Sequence, residues 1–178
     1  NSTADVINLD GQTVTLTASV GSFSGATGLP QVTTPMTVRN GTITRTGVNE
    51  FRFFNVSNTG NLTVRDMTLT NGGGTTLASN GGSIMSQGTA STLNVVNTTI
   101  SGSRIGDLQN GSAIFSNANF TITNSRVMSS GNGRGAIASV NGPVLIQNTL
   151  VAGNVGPDTI NSGGAVYLSN APTVVIAN

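Results

Sequence analysis

Leu93-Asn94-Val95-Val96-Asn97-Thr98-Thr99-Ile100 has the pattern Φ-x-Φ-x-Asn-x-x-Φ, where Φ is apolar. The pattern returns without gaps at residues 36–43, 62–69, 120–127 and 144–151, and a partial copy occupies 174–178. Its fifth position reads Asn40, Asp66, Asn97, Asn124, Asn148 and Asn178. The intervals of 26, 31, 27, 24 and 30 residues average about 28, a period that marks a stacked repeat architecture.

Within each copy apolar residues alternate with polar ones, as on a strand buried on one side. No stretch keeps a helical period beyond a turn, and β-branched residues dominate. Each copy ends in a Gly/Asn/Ser turn such as 71–74, 101–103 or 130–133. Three short strands per repeat, with like positions one repeat apart, predict parallel stacking of coil on coil. Leu93 and Val95 then face inward, Asn94 and Val96 outward. The fifth position becomes a corner, where Asn tolerates left-handed backbone and its amide can bond the next coil in a ladder. Asp66, which accepts but cannot donate when ionised, is expected to take backbone N–H groups there.

A second signature precedes the motif: 82–86, 112–116, 135–139 and 164–168, with Phe54 in an earlier position. If Ile84, Ile114, Ile137 and Val166 point inward, then Met85, Phe115, Ala138 and Tyr167 form an outward apolar stripe. Such a stripe marks a contact surface unless a loop covers it. Residues 1–35 are less regular. Residues 5–17 read as strand, Asp10-Gly11 turn, strand, and 21–35 as a loop. They are expected to form an irregular first coil or N-terminal cap, with 36–178 as the regular coils of one continuous domain.

Charged residues make up 7% of the chain and the net charge is +1, too little to steer a polyanion or an anionic membrane. All seven basic residues are Arg, dispersed from Arg39 to Arg134, without the clustering of a nucleic-acid site. No apolar run reaches membrane-helix length. There is no Cys and no His, so thiolate metal sites and triads are absent. With 36% hydrophobic residues regularly spaced, the polar composition reads as order rather than disorder.

The Gly163-Gly164-Ala165-Val166 segment, its variants at 81–84, 111–114 and 134–137, and the strands at 93–100 and 120–127 resemble the right-handed parallel β-helix repeats of bacterial surface proteins. These are the polymorphic outer-membrane-protein type, within the pectin-lyase-like shape. The resemblance covers roughly residues 36–178 by stacking period. Only 163–166 has the strict form, and the companion Phe-x-x-Asn tetrapeptide is missing. It implies an all-β, right-handed parallel β-helix of about six coils and, more distantly, adhesion.

The expected function is a non-enzymatic structural or adhesive module, extracellular or on a cell surface. Its partners would be further copies of itself, stacked end to end into a filament, or a host or matrix surface. No catalytic, metal or cofactor site is expected, and neither nucleic acid nor membrane insertion by this segment. The opening at Asn1 suggests removal of an upstream segment, and the stop at Asn178, inside a repeat, a longer solenoid or end-to-end stacking. Two alternatives remain. A polysaccharide-binding or polysaccharide-degrading β-helix would, as a hydrolase, need carboxylates converging within about 5–10 Å. An ice-binding solenoid would need ranks of outward Thr; Thr13/Thr15/Thr17, Thr42/Thr44/Thr46, Thr68/Thr70 and Thr98/Thr99 suggest one, but Thr98 is followed one repeat on by Ser125.

Overall fold

A computed structural model describes residues 4–157 and 164–178. Gly163, the first residue of the strict Gly-Gly-Ala-Val segment, lies outside them, as does Asp158. The described residues contain no helix and form a parallel β-solenoid of about six turns.

Each turn has three faces. The front face carries the apolar start of each motif: Met36 pairs with Leu62, Leu62 with Leu93, Leu93 with Phe120, Phe120 with Val144 and Val144 with Val174. All these pairings are parallel, so every Φ of the motif stacks on the Φ of the next coil. The side face follows the corner. There the ends of strands Pro35–Arg45 and Asn61–Thr70 stack on Thr99–Ser101, Arg126–Met128 and Leu150–Ala152. The back face stacks Phe54–Val56, Ile84–Ser86, Ile114–Ser116, Ile137–Val140 and Val166–Ser169. Phe54 pairs with Ile84, the place the sequence assigns it.

The alternation decides what is buried. Leu62, Val64, Leu93, Val95, Ile84, Ile100 and Ile114 have no exposed surface. Each fully buried aliphatic side chain of this kind contributes roughly 1.5–3 kcal/mol, and the faces close on a single core running along the stack.

The N-terminal region is more regular than its composition suggests. Strands Asp5–Asn8 and Thr13–Leu16 both run parallel to strand Pro35–Arg45. Asp10-Gly11 is therefore not a hairpin turn but a solenoid corner, with φ of 51° and 77°. The third side of this coil is made by bridges from Thr27 to Arg52 and from Val32 to Val56. Between the second and third sides, where the sequence reads only as loop, Gly21–Ser22 and Ala26–Thr27 form a short antiparallel hairpin.

Candidate functional site

The corner column has the backbone that its Asn residues suggest. Asn40, Asp66, Asn97, Asn124 and Asn148 all have positive φ, from 46° to 60°. The ladder is discontinuous. Asn97 Nδ2 donates to Asp66 Oδ1 at 2.8 Å and Asn148 Nδ2 to Asn124 Oδ1 at 3.2 Å. In both rungs the later coil donates to the earlier one. Among the described residues no bond joins Asn40 to Asp66 or Asn97 to Asn124. Asn178, the last corner residue, borders an open polar groove with Asn124, Asn148 and Arg126.

Asp66 takes side-chain partners in place of the backbone N–H groups expected of it. Besides Asn97 it accepts from Arg65 Nε at 2.8 Å. The register explains the acid: Arg39 and Arg65 lie directly opposite one another on the front face, and like charges in that position repel. The Asn97 amide and the Arg65 guanidinium hold the Asp66 carboxyl below the usual carboxylate range. An ionised Asp cannot donate, which accounts for the missing rung to Asn40.

A second column lies one residue past the corner. Thr98 and Ser125 are buried, at 2% and 3% exposure. Thr98 Oγ1 donates to Val96 O, Ser125 Oγ to Thr123 O and Thr149 Oγ1 to Gln147 O, at 2.8, 2.7 and 2.8 Å. The Thr98 and Ser125 amides donate to the hydroxyl one coil on. These hydroxyls satisfy the corner backbone from inside, so Thr98 belongs to no surface rank. The outward Thr columns are Thr13, Thr42, Thr68 and Thr99, and beside them Thr15, Thr44 and Thr70. They end where Arg126 follows Thr99 and where Ser101 follows Thr70. Thr98 and Thr99 are adjacent and face opposite ways, so the surface rank runs through Thr99 and not through Thr98 and Ser125.

Met85, Phe115, Ala138 and Tyr167 stack in one column on the outer side of the back face. The first three are buried, not open to solvent as an outward stripe would be, and Tyr167 is half-buried. Met85 is 8% exposed, Phe115 6% and Ala138 not at all, in a small cluster with Val140 and Tyr167. The turn opening each signature folds back over this side; Gly81, Gly111 and Gly135 there have φ of 69–70°. A Cβ on Gly81 would press on Met85 and one on Gly135 on Tyr167. Strand alternation says which side of a sheet a residue faces, and long-range folding of the turns decides what covers it.

The described acids are dispersed. Asp5 and Asp10 lie in the first coil, and Asp66 is at its corner. Glu50 accepts from the Thr76 amide and hydroxyl, and Asp107 sits in an exposed loop. Among the described residues no three acids, His or Cys are grouped to hold a metal, and no helix is long and apolar enough to cross a membrane.

No protein-family model, curated protein or solved structure matches the chain.

Proposed function

We propose that this chain is a non-enzymatic structural or adhesive module of the extracellular space or cell surface, related in kind to the bacterial surface β-helix repeats it resembles. The observation that carries this reading is the column order of its lateral faces. Like residues recur one coil apart on a rigid, weakly charged stack, so one surface feature is offered many times. Such repetition suits a matrix, a cell surface or further copies of the same rod, where many weak contacts combine. The test is adhesion of protein-coated beads to cells and matrix polymers, with sedimentation and electron microscopy for self-association. Retention on a surface, or filaments that lengthen with concentration, is the expected result. Cleavage of a polysaccharide panel, with no retention, would replace this reading by the enzymatic one.

A second reading, an ice-ordering face, is favoured by the two adjacent Thr columns, one spanning four coils and the other three. Strands about 4.8 Å apart place their hydroxyls on a regular grid. Inhibition of ice recrystallisation that Thr68→Arg abolishes would support it.

A further inference from the structure

Arg52 is fully buried. Among the described residues its guanidinium meets no carboxylate, since the one ion pair there is Arg65–Asp66. Burial pushes its pKa down to about 10. Its partners are all neutral. Nη1 donates to Phe23 O at 3.0 Å and Nη2 to Ser24 O at 3.1 Å. Nη2 also bonds Ser79 Oγ, and Nε donates to Gly81 O at 3.3 Å. A buried cation compensated by dipoles alone is an expensive arrangement.

The geometry of those partners indicates a ligand class. Two neighbouring guanidinium nitrogens donate to two successive carbonyl oxygens, the same pair of donors that a carboxylate engages in a fork-to-fork pair. Two amides converge on the same place: Asn55 Nδ2 and Gln87 Nε2 donate to Phe23 O at 2.8 and 3.2 Å. Gln31 Nε2 donates to Asn55 Oδ1 at 2.8 Å and fixes which end of that amide points inward. Three donors on one carbonyl exceed its two lone pairs, so the cluster is richer in donors than its occupant is in acceptors.

That occupant is the Gly21–Thr27 hairpin, whose tip residue Ser24 is exposed. Gly25, at φ 113°, lets the hairpin backbone lie directly on the cation; a Cβ there would strike Arg52 Nη2 and Ser79 Oγ. Val20 N to Thr27 O and Phe23 N to Gly25 O close the hairpin on itself, whereas the backbone bonds that tie it to the coil run to Arg52, from Arg52 N to Ala26 O at 3.1 Å and from Gly28 N to Arg52 O at 2.8 Å, so its opening is a local event.

We propose that Arg52, Asn55 and Gln87 form a carboxylate-binding site that the 21–27 hairpin caps with its own Phe23 and Ser24 carbonyls, and that a small carboxylate competes with the hairpin for it. The ligand supplies two oxygens in the same fork and the negative charge that the hairpin lacks. Binding and hairpin closure exclude one another, so ligand and hairpin opening are linked.

Amide hydrogen exchange at residue 52, whose N–H donates to Ala26 O of the hairpin, tests this when sodium acetate replaces sodium chloride at constant ionic strength, with acetamide as the neutral isostere. Exchange is expected to accelerate roughly 5-fold or more in acetate, the lower range of ordinary coupling, and to stay unchanged in acetamide and in Arg52→Gln. Equal rates in acetate and chloride would overturn the proposal and leave Arg52 as a structural clamp, a conclusion that the unmodified protein alone can deliver. An acetate effect that survives in Arg52→Gln would overturn it as well.

Discussion

Asn97 bends the chain at φ 46°, a conformation that costs most L-residues about 1–2 kcal/mol and Asn less. Asn97→Ala is therefore expected to destabilise the fold by about 1–2 kcal/mol in urea unfolding, and Asn97→Gly by less, because Gly adopts this φ freely. Equal losses would place the cost in the lost Asp66 bond instead. At Asp66 the dependence is on pH. Its folded-state pKa is depressed by Asn97 and Arg65, so its contribution is present above the unfolded carboxylate value of about 3.9 and is lost as pH falls through the lower folded value. Asp66→Asn should then be less stable than the parent near neutrality, and the gap should close in acid, as followed by unfolding at several pH values. The Asn at each corner was legible because left-handed backbone selects it locally. The reason for the single Asp was not, because Arg39 and Arg65 become neighbours only through pairing across 26 residues. Arg52 was hidden for the same reason, its partners being 27–29 residues away.

At the scale of the element, alternation within a strand read correctly the side to which each residue of 93–96 points, and the Φ positions stack in the register that the repeats imply. It was silent on the far side of the back face. Phe115 is in the outward column yet only 6% exposed. Phe115→Ala is expected to cost about 3 kcal/mol, as for a buried aromatic, whereas an exposed contact residue would change stability by less than about 0.5 kcal/mol. Thermal or urea unfolding of this one variant separates a structural row from an open docking stripe. The first coil shows the converse limit. An Asp-Gly pair between two alternating segments is the ordinary mark of a hairpin, but here both segments find a better partner in strand Pro35–Arg45. Tertiary pairing overrides the local turn.

For the whole molecule, the repeat period was legible because every coil solves the same problem of closing three faces on one core. The hairpin over Arg52 was not, being an insertion that belongs to one coil alone. The claim on which the rest depends is that like positions of successive coils stack in parallel register. Thr68 and Thr99 are paired outward residues on the side face, and parallel neighbours lie within the Cα separation that a disulfide spans. The chain has no native Cys, so an introduced pair reports without interference. Under mild oxidation Thr68→Cys with Thr99→Cys is expected to form an intramolecular disulfide readily, and Thr68→Cys with Ser101→Cys slowly or not at all. Preferential cross-linking of the second pair, or of neither, would contradict the stacked parallel solenoid.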